Sequence, residues 1–302
     1  MTAPGLPGAR ARQHAGRGIA LRVTAMAMMA VMSAIVKWCG GHGVPVFQII
    51  FFRNAFAFVP LGLYIWRTAG PRVVLTRRPL GHLLRSSVGL TAMICSFSAL
   101  QYLPLTAATA FSFAAPLFMT ALSAPVLCER VGAHNWAAVV VGFIGVLIMI
   151  RPDPHHMNFL GAGLALAGAF GAAGAMVTIR EIGRTERGAT IVFYFTLAGA
   201  LVGLASAPFG WLMPSRGLLG LLVLTGLLGG VGQLLLTESL RVAEVGVVAP
   251  FDYIQLVWAC VIGFLVWGET PATMTLVGAL VVAASGGYIL YRELRRRRSL
   301  VS

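Results

Sequence analysis

TAATAFSFAAPLFMTALSAPVLCER, residues 106–130, runs for 23 residues without a charge before closing on Glu129 and Arg130. A bilayer core is crossed by about 20 apolar residues of helix, so this stretch is long enough to span one. The rest of the chain agrees. Of its 302 residues 58% are hydrophobic and only 11% charged, and the mean hydropathy is +0.85. That is too much apolar length and too little charge to wrap soluble domains in a wetted surface. The 36 glycines and 15 prolines suit closely packed, locally broken membrane helices. There is no G-x-y period for collagen, and the apolar content is far above that of a disordered chain.

Outward from this stretch, prolines, glycines and charge clusters divide the chain into ten spans: 18–39, 45–66, 83–102, 105–127, 136–150, 160–179, 189–207, 218–239, 245–267 and 272–291. The basic residues test that division, because alternate connections share a side and the Lys/Arg-rich side is cytoplasmic. With the N-terminus inside, the inner set is Arg10, Arg12, Arg17 and Arg22, then Arg67, Arg72, Arg77, Arg78 and Arg85. Arg130, Arg180, Arg184, Arg187 and Arg241 follow, then Arg292 and Arg295 to Arg298. Only Arg151 and Arg216 fall outside, and Lys37 and Arg53 lie within spans. A miscounted span near the middle would destroy this asymmetry. The expectation is ten helices with both termini cytoplasmic, in a bacterial inner membrane.

The net charge of +14 therefore belongs to connections and not to a basic face interleaved with aromatics, so nucleic acid is not the expected partner. A basic tail beside a membrane helix anchors anionic headgroups. The first 17 residues resemble a signal-peptide n-region, but the apolar run behind them is full length and has no A-x-A site, which points to a retained span. Cys39, Cys95, Cys128 and Cys260 are far apart without C-x-x-C and read as small apolar residues. His155 and His156 have no third ligand near them in sequence and read as a solvated loop. No cofactor and no metal is expected.

An odd number of spans per half forces the second half to enter the membrane from the opposite side, which is inverted-repeat geometry. A shift of 140 residues lays Leu100 on Leu240, Phe111 on Phe251, Glu129 on Glu269 and Val141 on Val281. In both halves a tight hairpin leads into an aromatic-bearing helix that ends at Glu and turns into another apolar helix. Phe51-Phe52-Arg53-Asn54, residues 106–130, and residues 245–271 (VGVVAPFDYIQLVWACVIGFLVWGETP) resemble the EamA type of the drug/metabolite transporter superfamily, over roughly residues 18–291. One departure is Cys128-Glu129 where the family, like Gly268-Glu269 in the second half, favours Gly-Glu. The resemblance implies an all-α membrane protein: a ten-helix basket of two inverted five-helix repeats, 18–151 and 158–291, between a basic N-terminal segment, 1–17, and a basic tail, 292–302. It also implies a central cavity lined mainly by spans one, three, four, six, eight and nine.

Ionisable groups inside a membrane cost about 2.5–3.5 kcal/mol on insertion scales and are functional candidates by default. Lys37, near the outer end of span one, is either a snorkelling anchor or a substrate or gating contact. Arg53, about 12 Å into span two, needs a partner: another helix, or the solute. Asp252 follows Pro250, which can break the start of span nine and free carbonyls toward a cavity; proton coupling or amine recognition and a capping role are both open to it. Glu238 is placed to pair with Arg241 at i, i+3. Near mid-depth, Ser96 and Ser98 in span three, Phe111, Ser112 and Phe113 in span four, Gln233 in span eight, and Tyr253, Gln255 and Trp258 in span nine stand where a repeat-interface site would form. Aromatic walls with a few amides and hydroxyls suit a small amphipathic metabolite; helix packing with interhelical hydrogen bonds is the structural alternative. Spans six and eight carry glycines at three- and four-residue spacing, the pattern of close or sliding helix faces.

There is no GxxxxGK[ST], HExxH or G-x-S-x-G, so neither ATP hydrolysis nor a hydrolase is expected, nor an ATPase subunit. The expectation is a secondary transporter, monomeric or weakly dimeric, exporting amino acids or related metabolites by alternating access. Uptake or exchange of S-adenosylmethionine, nucleoside derivatives or cationic drugs is the alternative. A passive channel would need a filter or pore-lining ring, and an enzyme a convergent catalytic set.

Overall fold

The computed structural model describes residues 7–70, 75–127, 133–150, 158–183, 185–242 and 248–299. Cys128, Glu129, Arg130, Arg151, His155 and His156, with the side chains of Arg241 and Arg295 to Arg298, lie outside the described residues. The described chain is helical, and no strand occurs among those residues. Its helices are α1 (Pro7–Gly41), α2 (Val46–Tyr64, followed by a π-helical turn, Ile65–Ala69), α3 (Pro79–Tyr102), α4 (Leu105–Ser112), α5 (Ala115–Leu127), α6 (Ala133–Ile150), α7 (Phe159–Ile182), α8 (Gly188–Ala205), α9 (Arg216–Val242), α10 (Ile254–Trp267) and α11 (Thr273–Ser299). Among the described residues seven helical stretches are long and apolar enough to cross a membrane, and three shorter apolar ones, Trp136–Ile148, Phe251–Trp267 and Thr273–Ile289, accompany them.

Large apolar side chains point outward along these helices, among them Leu147, Leu265 and Leu280, each about two thirds or more exposed. Such a surface is untenable in water but costs nothing against lipid tails. The interior is held by two apolar clusters. One gathers Phe111, Phe113, Leu117, Val146, Ala165 and Val282; the other gathers Val36, Ile49, Ile50, Leu105 and Leu222. Helices of the two halves interleave: α1 packs on α9 and α10, α3 on α7, α2 on α8 and α9, and α6 on α11. The glycine faces let them approach. A Cβ at Gly168 would lie 2.3 Å from Ser96 Oγ, and one at Gly226 would lie 2.7 Å from the Phe52 carbonyl.

Two elements, spans four and three, depart from the sequence expectation, each for a local reason. Span four is interrupted: α4 and α5 meet at Phe113-Ala114, where Phe113 and Ala114 donate to Ala110 and Phe111 at i−3. Pro116 in the first turn of α5 has no N–H to continue an α-helical ladder and clashes with the carbonyl four residues back. Span nine follows the expectation set by Pro250: it opens as a 3₁₀ turn, Ala249–Tyr253, with Pro250 in its first turn, before α10. And α3 begins at Pro79, a residue suited to a first helical turn, ahead of the expected start at residue 83, so that Arg85 stands well inside the helix rather than at its first turn.

Candidate transport site

Two ion pairs join α1 to the α10 region, one toward each end of the helix pair. At the first, Arg22 faces Asp252 in the 3₁₀ turn with two parallel contacts, Nε to Oδ1 and Nη2 to Oδ2, the latter 2.6 Å. Such a fork fixes orientation as well as charge. At the second, Lys37 Nζ donates to Glu269 Oε1 at 2.5 Å and to the Leu103 carbonyl at 2.7 Å. The other oxygen, Oε2, accepts from the Leu105 backbone N–H at 2.8 Å. Leu105 opens α4 behind Pro104, which offers no side-chain cap. Glu269 therefore supplies the missing acceptor, and its negative charge meets the positive end of the helix.

The local sequence sets Glu269 there. Gly268 adopts φ +66° and ends α10, its N–H bonding Phe264, while the Glu269 N–H reaches back to Gly263 at 3.1 Å. A C-terminal glycine in the left-handed region whose N–H bonds the carbonyl four residues back is an αL cap, and a residue with a Cβ would strain it. It throws the glutamate out across α1 and α4. Trp267 adds a ring 5.3 Å from Lys37 Nζ. Both side chains of the pair are about 15% exposed (14% and 16%).

Between these ends the expected site residues divide. Phe111 and Phe113 are buried in the interior cluster, and Phe113 meets Tyr253 edge to face at 4.9 Å between ring centroids. Ser112 is exposed, with its hydroxyl donating to the Thr109 carbonyl at 2.6 Å. Ser96 lies against the glycine face of α7. Ser98 and Gln255 are half-buried, and Trp258 is exposed at the edge of α10. Glu238 is half-buried; its expected pairing with Arg241 lies outside the described side chains. Asp252 is brought to Arg22 and Lys37 to Glu269, partners that no sequence spacing announces.

Gln233 and Arg53 come together elsewhere, in a cavity of about 60 Å³ between α2, α3, α8 and α9. Arg85 faces Arg53 across it, and Phe195 of α8 stands by both, 4.3 Å from the Arg85 guanidinium and 5.8 Å from that of Arg53. Arg53 Nη1 donates to Asn54 Oδ1 at 3.0 Å, but its Nε, and Nε and Nη1 of Arg85, are buried without a hydrogen-bond partner. Each guanidinium costs about 2.5–3.5 kcal/mol to insert, against about 0.5–2 kcal/mol returned by a cation–π contact. Arg85 was expected among the arginines of the cytoplasmic connection; its early helix start, at a proline just past Arg77-Arg78, is the signal that marks it.

Fold and charge placement define a multi-pass helical membrane protein whose polar groups are organised inside the bundle. The EamA-like transporter family model matches the chain twice, over residues 16–151 and 159–291, and the chain belongs to that family: it is a small-molecule transporter. It is similar to the pseudopaline exporter CntI of Pseudomonas aeruginosa, 30% identical over 89% of this chain and 94% of that protein. Similarity extends to the S-adenosylmethionine uptake transporter of Rickettsia prowazekii (29%, 84% and 85%) and the riboflavin transporter of Vibrio cholerae (27%, 95% and 97%). One solved crystal structure shares the fold, with a TM-score of 0.63 at 19% identity over 91% of this chain and 97% of its own.

Proposed function

We propose that this protein is a secondary transporter that exports small metabolites, amino acids and related compounds foremost, from the cytoplasm across the bacterial inner membrane by alternating access. Ten helices, with α4 and α5 counted as one, form two inverted five-helix repeats, and both termini are cytoplasmic. The paired family matches, one per half, and the inner-to-outer bias of the arginines at connections and helix ends, which holds without the interior Arg22 and Arg85, support this arrangement.

The observation that carries the mechanism is the pair of ionic contacts on one helix pair. Arg22 and Lys37 are 15 residues apart on α1, about 22 Å along its axis. Their partners come from the turn before α10 and the turn after it. Arg22–Asp252 closes the cytoplasmic end and Lys37–Glu269 the outer end, so opening either side breaks one pair while the other holds. A carrier needs this alternation, and a channel does not.

Counterflow into liposomes holding purified protein tests the reading, with labelled amino acids, S-adenosylmethionine, riboflavin and cationic drugs as the panel. Saturable exchange of amino acids is the expected result. Exchange of S-adenosylmethionine alone would favour the uptake reading, which the Rickettsia relatives support. Folded protein that exchanges nothing would overturn the carrier reading.

A further inference from the structure

Two arginines facing one another in a bundle interior demand an explanation that the ionic end contacts do not provide. Among the described residues the ion pairs are Arg22–Asp252, Lys37–Glu269 and Arg78–Glu181; neither Arg53 nor Arg85 has a carboxylate. Like charges at close range repel, and each disfavours the burial of the other. Yet the backbone makes room for both. A Cβ at Gly89, one turn along from Arg85, would lie 2.0 Å from Arg85 Nη1, and one at Gly229 would lie 3.3 Å from Arg53 Nε. The glycines thus form a cradle in which the guanidinium groups converge on shared space, with unsatisfied N–H donors left over. Gln233, Thr196 and Thr237 add polar groups to the same wall.

From this we infer that the cavity between Arg53 and Arg85 is an oxyanion site, taking a carboxylate or phosphate group. One such group would neutralise the facing charges and accept from the free donors, the geometry for which guanidinium forks are suited. At about 60 Å³ the space holds a few waters or a small anionic head, and it is far below the several hundred Å³ of a whole metabolite site. The occupant is therefore the charged end of a larger molecule or a small free anion. Its assignment to the transported solute rests on the carrier reading; the site itself does not.

Thermal unfolding of the purified full-length protein in nanodiscs tests this. In phosphatidylcholine discs and chloride buffer, millimolar glutamate, succinate or inorganic phosphate is expected to raise Tm by about 2–4 °C in a saturable way. In discs containing phosphatidylglycerol, the same rise without added anion would identify a lipid phosphate as the source. Arg53→Gln and Arg85→Gln are each expected to abolish the response and to leave the anion-free protein at least as stable, since a repelling charge is removed. Gly89→Ala keeps both charges but displaces the Arg85 guanidinium, and is expected to weaken the response at least tenfold in concentration. The inference is overturned if neither free anion nor anionic lipid shifts the wild-type Tm, or if the arginine variants respond as the wild type does. A wild-type protein that carries amino acids in counterflow but shows no anion response would sink this site and leave the carrier reading intact.

Discussion

Glu269 serves two groups at once, the Lys37 ammonium and the first turn of α4. Its replacement leaves a buried cation without a counter-charge. Glu269→Gln is expected to cost about 3 kcal/mol in denaturant unfolding of the purified protein. The double variant Lys37→Met/Glu269→Gln is expected to recover most of that loss, since removing both partners of a buried pair is far cheaper than removing one. Equal losses in the single and double variants would show that the ion pair contributes nothing. Sequence alone singled out Lys37, Arg53 and Asp252 because charge within a span is costly. It could not name Glu269 or Arg22 as their partners, which lie 230 or more residues away in the chain. Arg85 escaped because it follows a run of loop arginines, and only the start of α3 at Pro79 separates it from them.

At the scale of the element, the loops between α2 and α3 and between α7 and α8 are tied by Glu186. Its Oε1 accepts from the Thr76 hydroxyl at 2.9 Å and the Arg77 backbone N–H at 2.8 Å. Partial burial pushes this carboxyl up, but those hydrogen bonds, with the Arg78 N–H and the nearby His82, together pull it below its ordinary value. A depressed folded-state pKa stabilises the fold above the unfolded value of about 4.5, and the contribution is lost as pH falls through the lower folded value. The Tm difference between wild type and Glu186→Gln is therefore expected to be constant near neutrality and to vanish in acid; a difference that grows on acidification would contradict the role given to Glu186.

The glycine faces make a sharper contrast. Gly226 has no room for a Cβ against Phe52 and Phe56, whereas nothing lies within 4 Å of one at Gly163. Gly226→Val is expected to lose about 1–3 kcal/mol by overpacking, and Gly163→Ala to be neutral or to gain up to about 1 kcal/mol in helix propensity; similar effects at the two sites would refute the packing. Glycine spacing identified both helices as packing faces but not which glycines meet a neighbour, because that depends on rotation about the helix axis. The break within span four was likewise hidden, since Pro116 reads as an ordinary membrane proline until its early place in a helix is seen.

For the whole molecule, hydropathy and the placement of arginines made the membrane class legible, and Phe51 to Asn54 with residues 106–130 and 245–271 carried the family. The site was legible only in part, because helix interiors are written in residues that pack as readily as they bind. Phe111, Phe113 and Ser96 pack, while Gln233 and Arg53 share a polar cavity. The central claim is that the two ends of the α1–α10 contact open in turn. Ser33 lies on the same α1 face as Arg22 and Lys37, 11 and 4 residues from them, and is half-buried between the two pairs. The decisive measurement is labelling of Ser33→Cys, in a protein otherwise free of cysteine, by a membrane-impermeant maleimide added to either side of proteoliposomes. Adding Glu269→Gln is predicted to raise labelling from the Lys37 side and lower it from the other, and adding Asp252→Asn to do the reverse. Variants that both raise labelling from the same side, or that open Ser33→Cys to both sides at once, would contradict alternation.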